Sequence, residues 1–126
     1  MTKIIISPGY GCGWSTHIDS KEAAEYSLTY APLVDYLWDM QQSKEICSDA
    51  EHSRYHKELN NIFHTFKEEV DKRFLGVSLP YDAVDCFVTM VQPDRPFLIM
   101  EYDGCEWVEY LDNLRVMSMP GDVNEG

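Results

Sequence analysis

Two glutamates flank an Asp-Gly pair in the segment Phe97-Leu98-Ile99-Met100-Glu101-Tyr102-Asp103-Gly104-Cys105-Glu106. Asp-Gly between apolar runs predicts a two-residue hairpin turn, because both central positions need positive φ. Such a turn fixes the register. Tyr102 then faces Cys105, Glu101 faces Glu106, Met100 faces Trp107 and Ile99 faces Val108. Like charges directly opposite each other destabilise a sheet. The Glu101/Glu106 pair therefore calls for a partner's Lys or Arg, a metal, ligand hydroxyls or a proton, unless the two carboxylates splay into water. As a general base, either carboxylate can also serve hydrolysis.

A second segment, Pro8-Gly9-Tyr10-Gly11-Cys12-Gly13-Trp14-Ser15-Thr16, follows the run Lys3 to Ser7. Its glycines allow backbone amides to approach a ligand closely. Tyr10 and Trp14 offer stacking surfaces, and Ser15, Thr16 and His17 offer hydrogen-bonding groups. The spacing is not that of a dinucleotide fingerprint, and no phosphate-binding Gly-Lys-Ser/Thr occurs. The loop reads either as a recognition loop using Tyr10, Gly11, Trp14, Ser15 and Thr16, or as a tight turn whose Trp14 plugs the core.

The other reactive side chains carry less. Cys12, Cys47, Cys86 and Cys105 form no CxxC pair and lack zinc-finger spacing with histidine, so they read as small apolar residues. Cys12, in the loop, is the exception to watch; with His17 it is conceivable as a nucleophile and base. His52 and His56 share a helix face, without a HExxH pattern. No metal, cofactor or catalytic residue is assigned.

The elements that must position these segments are legible in outline. Residues 3–7 form a β-branched strand without polar alternation, as for a strand covered on both sides. Asp19-Ser20 can cap a first helix. Pro32 starts a second, with Leu33, Tyr36, Leu37 and Met40 as its apolar stripe. Ser48 and Glu51 form a capping box for a long helix to Phe74, with Gly76 beyond its end. Strands follow at 84–91, 97–102 and 105–110, with a possible fourth at 114–119. This predicts an α+β fold: an N-terminal strand and Gly-rich loop, central helices, and a C-terminal antiparallel β-meander, the helices packed on one face of the sheet. Residues 1–126 read as one domain, with 120–126 as a flexible tail.

Both hairpin faces are apolar. Leu98, Met100, Tyr102, Cys105, Trp107 and Glu109 share one; Phe97, Ile99, Glu101, Glu106, Val108 and Tyr110 share the other. One face can pack on helices and the other on a second subunit, which predicts a homo-oligomer, a dimer.

The chain of 126 residues carries a net charge of −12. The excess is concentrated: residues 75–126 hold ten acids against Arg95 and Arg115 alone. Such a field repels nucleic acid and anionic membrane and favours basic partners. No apolar run reaches membrane-spanning length and the N-terminus lacks a secretory pattern, so a cytoplasmic protein is expected.

The two end segments carry a resemblance. Ile5-Ile6-Ser7-Pro8-Gly9-Tyr10-Gly11-Cys12-Gly13-Trp14-Ser15-Thr16 resembles the opening of a family of small bacteriophage and prophage proteins, which end in a hairpin similar to the one around Glu101-Tyr102-Asp103-Gly104-Cys105-Glu106. In that family Ala is usual at the position of Cys12, Ser at that of Cys105, and an aromatic at that of His17. The resemblance covers about residues 1–16 and 85–108 and implies no catalytic role. It implies a protein of the host cytoplasm and raises the expectation that loop and hairpin act together.

The function expected is that of a phage-encoded acidic accessory protein. It binds a host protein with a basic surface and inhibits a defence or nucleic-acid-handling complex, as anti-CRISPR and anti-restriction proteins do, without enzymatic activity. Tyr10, Gly11, Trp14, Ser15, Thr16, Glu101, Tyr102, Asp103 and Glu106 are the candidate binding residues. The alternatives are a nucleotide-signal sponge using the Gly-rich loop and a small hydrolase.

Overall fold

The computed structural model describes residues 1–9, 13–43 and 49–113. Strand β1 (Thr2–Ile6) is followed by a single 3-10 turn (Ser15–His17) and helices α1 (Lys21–Leu28), α2 (Ala31–Ser43) and α3 (Asp49–Arg73). Strands β2 (Phe87–Val91), β3 (Phe97–Tyr102) and β4 (Cys105–Tyr110) complete the α+β fold, with a last 3-10 turn at Leu111–Asn113. The helix starts follow local chemistry. Ser20 caps α1 by accepting a hydrogen bond from the Ala23 amide, and Pro32 occupies the first turn of α2, where its missing N–H costs nothing.

The three C-terminal strands do not form one meander: the described strands make two separate two-stranded sheets. β1 pairs antiparallel with β2, and β3 pairs with β4. Between β2 and β3 stand Pro93 and Pro96, with Asp94 at φ +68°, so the chain leaves the β2 ladder instead of folding back along it. The predicted strand at 84–91 begins only at Phe87, because Asp85 takes φ +67°. The Ser48 capping residue, the possible strand at 114–119 and the tail at 120–126 lie outside the described residues.

β1 is covered on both sides, as its composition predicts. Ile5 points into the main core, with Trp14, Leu33, Leu37, Leu59, Phe63 and Phe66. Ile4 and Ile6 point the other way and meet Val91, with Phe97, Ile99 and Val108 of the hairpin packed against them. The β1–β2 ribbon is thus sandwiched between helices and hairpin, and burial of these side chains is the main stabilising term. Gln41 of α2 covers the outer edge of β2: its Nε2 donates to the Val88 carbonyl, and its Oε1 accepts from the Val88 amide. No helix among the described residues is long and apolar enough to cross a membrane.

The aromatic cluster sets two expectations. Phe66 is fully buried against Trp14, Tyr26, Tyr30 and Phe63. Phe66→Ala should cost about 3–5 kcal/mol in denaturant unfolding, whereas Tyr81→Ala, at an exposed position, should change stability by less than about 0.5 kcal/mol. Burial first, then the Glu69 carboxylate, pushes the Tyr26 hydroxyl up to about 12. Burial first, then Asp85, does the same for Tyr55. The folded state therefore holds these protons beyond the ordinary tyrosine pKa of about 10. Their contribution is intact below pH ~10 and is lost as pH rises from about 10 to about 12. Urea midpoints measured at about pH 9 and about pH 11.5 should show the drop, and equal midpoints would contradict it.

Candidate functional site

The turn at Asp103-Gly104 has φ +50° and +83°, the left-handed pair that a two-residue hairpin turn demands. The register follows: Tyr102 opposes Cys105, Glu101 opposes Glu106 and Met100 opposes Trp107. The Gly-rich loop comes to this hairpin. Pro8 bridges to Cys105 and the Glu106 amide donates to the Ser7 carbonyl. A Cβ on Gly9, at φ +132°, would lie 3.6 Å from that of Cys105.

The contact centres on Glu106, which is only 3% exposed. Its Oε1 accepts from the Ser7 amide at 2.8 Å. Its Oε2 accepts from the Trp14 amide at 2.8 Å, the Thr16 amide at 3.0 Å and the Thr16 hydroxyl. Each donor stabilises a carboxylate that burial would otherwise penalise. Gly13 makes the cradle possible, since a Cβ there would stand 2.6 Å from Oε2 and collide with the Thr16 hydroxyl. Glu101 solves its own problem separately, accepting from the Gly104 amide at 2.7 Å across the turn. Backbone donors thus satisfy the opposed carboxylates, in place of the cation that the like-charge pairing called for.

This placement corrects the stacking and anion-cradling reading of the loop. Trp14 is 0% exposed, its Nε1 donates to the Ser27 carbonyl at 2.9 Å, and its ring packs on Phe63 and Phe66. It offers no surface for stacking. Ser15 is buried, and Thr16 is exposed but committed to Glu106. The amides of Trp14 and Thr16, which a phosphate would use, hold the chain's own carboxylate instead. With its oxygens sequestered in this cradle, Glu106 has no access to act as a base on an outside substrate. Tyr10, Gly11 and Cys12 lie outside the described residues.

The remaining candidates cluster on the other side of the hairpin. Tyr102, at 76% exposed, and Asp103 project at its tip beside Glu101. Leu98, Met100 and Trp107 lie on the same outer face as Tyr102 and are also exposed. These three were not among the candidate residues, although their shared face follows from the hairpin's period of two. Ser7 and Gly13 were likewise missed; the one signal is the glycine at 13, which lets the loop backbone approach another group closely. Glu109 rims the apolar face and accepts from the Trp107 indole at 3.1 Å. Among the described residues no His, Cys, Asp and Glu cluster could hold a metal ion.

Several of the few cations are used internally. Arg95 pairs with Asp112 at 2.7 Å and stacks 3.9 Å from the Tyr110 ring centroid. Lys3 sits over Trp38 and Arg73 over Tyr26. The surface left around the hairpin is apolar in the middle and acidic at the rim.

Glu106→Gln must turn its amide NH2 toward one set of donors and should cost about 3 kcal/mol. Gly13→Ala should be destabilising for the steric reason above. Thermal unfolding checks both, and an unchanged midpoint for Glu106→Gln would remove the carboxylate from its structural role. Compared with protein-family models, characterised proteins and solved structures, the chain matches none of them.

Proposed function

We propose that this is a non-enzymatic accessory protein of bacteriophage or prophage origin that binds and inhibits a host nucleic-acid-handling complex, of the CRISPR or restriction kind, in the host cytoplasm. One observation carries the reading: four large apolar side chains, Leu98, Met100, Tyr102 and Trp107, stand exposed on one face of the hairpin. An apolar patch with a polar rim marks an interaction surface. The rim here is acidic, with Asp103 and Glu109 beside the patch and Glu101 exposed on the other face near the turn, within a chain of net charge −12. Its complement is a basic surface with apolar or aliphatic groups at its centre. Nucleic-acid-binding channels have that chemistry, since Lys and Arg must neutralise phosphates. An acidic protein seated there excludes the nucleic acid without doing chemistry.

The second occupant to weigh is another copy of the chain, forming the dimer that two apolar hairpin faces predict. Two chains of −12 brought face to face repel each other, which disfavours this arrangement at low salt. The sponge reading finds less support, because Glu106 fills the loop's amide cradle.

The test uses purified host effector complexes and a labelled nucleic-acid target. Adding the protein should block target binding, and the block should weaken as salt rises from about 0.05 to about 0.5 M. The double substitution Met100→Thr and Trp107→Thr keeps strand-forming residues at exposed positions. It should leave the unfolding midpoint within a few degrees while reducing the block at least about tenfold. A block that the double variant retains in full would refute the assignment of this face.

A further inference from the structure

The two-stranded sheets leave outer edges, and the protein covers those of β2 and β4 with its own groups. On β2, the Gln41 side chain hydrogen bonds both the amide and the carbonyl of Val88. On β4, the Ser7 carbonyl receives the Glu106 amide and Pro8 bridges to Cys105. On β3, no strand among the described residues pairs with the outer side. The hairpin register says which groups are left there. A two-residue turn makes Tyr102 and Cys105 a hydrogen-bonded pair, so Met100 with Trp107 and Leu98 with Glu109 are hydrogen-bonded as well. The backbone groups of Phe97, Ile99 and Glu101 therefore point away from β4. The same phase directs the Glu106 amide away from β3, where it meets Ser7.

Natural sheets guard such edges with Lys, Pro, a bulge or a covering element. The sequence Phe97-Leu98-Ile99-Met100-Glu101-Tyr102 has no Lys and no Pro, and its pairing to β4 runs without a bulge. It is apolar for four residues and regular for six. β3 is also the more exposed strand of the hairpin, with Leu98, Met100, Glu101 and Tyr102 all open to solvent.

We propose that β3 is an acceptor edge: an extended segment of the partner protein, alternating basic and apolar residues, adds to it as a third strand of the hairpin sheet. The proposal rests on the reading above that this hairpin is the binding element, and it names the mode of recognition. Main-chain hydrogen bonds to Phe97, Ile99 and Glu101 supply affinity, and alternate side chains supply specificity. Apolar side chains of the added strand lie beside Leu98 and Met100 on the outer face. A Lys or Arg beside Glu101 on the opposite face makes the favourable cross-strand pair that Glu106, turned into the loop, does not. Charge selects this occupant over a second copy, whose own β3 would bring another Glu101 and Asp103 to the same edge.

The probe is an eight-residue peptide of alternating lysine and valine, blocked at both ends, titrated into the isotope-labelled full chain and followed by NMR. A second peptide carries an N-methyl group on every residue, so that neither edge can donate. The amides of Phe97, Ile99 and Glu101 should gain protection from hydrogen exchange with the first peptide, and the methylated peptide should bind at least about tenfold more weakly, because backbone donors to β3 are lost. Equal binding of both, with changes confined to the side chains of Leu98, Met100, Tyr102 and Trp107, overturns strand addition and leaves the face reading standing. No binding of either peptide at about 1 mM, which corresponds to a weak interaction, also overturns it, while the Met100/Trp107 double variant judges the face separately. Protection of these three amides without peptide, in a protein that sediments as a dimer, assigns the edge to a second copy and overturns the proposed partner. A Glu101→Gln variant gives an independent check: it keeps an acceptor for the Gly104 amide and removes the charge that the added strand's lysine meets, so peptide binding should weaken several-fold, and unchanged binding would overturn that pairing.

Discussion

A single buried carboxylate organises this molecule. Glu106 reaches from the hairpin into the Gly-rich loop and gathers the amides of Ser7, Trp14 and Thr16 with the Thr16 hydroxyl. A charge in the interior is tolerated only where such donors surround it. That condition dictates much around it: no side chain at position 13, a hydroxyl at 16, and a loop path that carries Trp14 into the helix core. It also decides the orientation of the hairpin. Glu106 shares a face with Ile99 and Val108, so anchoring it presses those residues onto Ile4 and Ile6. The opposite face, with Leu98, Met100, Tyr102 and Trp107, is left outward.

The stabilising contacts and the proposed binding face therefore occupy opposite sides of one two-stranded ribbon. Its inner side is closed by packing and by the carboxylate. Its outer side keeps apolar groups in water at a free-energy cost that folding alone does not explain. The charge distribution reinforces the division. Arg95, Lys3 and Arg73 are stacked on aromatic rings of the chain itself, and Arg95 is also paired with Asp112. Asp103 and Glu109 remain around the apolar face, and Glu101 stays exposed across the ribbon from it. A basic, partly apolar partner is the natural complement of such a surface.

Local chemistry made several elements readable in the sequence. Asp103-Gly104 specified both turn and register, Ser20 specified the start of α1, and the spacing of Leu33 and Leu37 specified the buried side of α2. The convergence of loop and hairpin was within reach only through the resemblance of the two end segments, not from the residues themselves. The role of Glu106 was not. Its donors stand 90 to 99 residues away in the chain, and cross-strand reasoning considers only the residue opposite, Glu101. The clue lay in phase, since Glu106 falls on the same face as Ile99 and Val108, where a charge needs an internal partner. The loop's two readings stayed open for a related reason, and burial of Trp14 decides for the core plug. Glycines that let amides approach an anion do not say whether the anion comes from outside or from the chain. The pairing of β2 with β1 was equally non-local, hidden behind the prolines at 93 and 96.

Hydrogen exchange at the amides of Ser7, Trp14 and Thr16 tests the central claim most directly, because these three N–H groups are the ones that Glu106 holds. If the carboxylate anchors the loop, they exchange only through global unfolding, as slowly as the amides of β1 and of the buried turns of α3. Exchange at the fast rates of an open loop, with β1 and α3 still protected, would contradict the account.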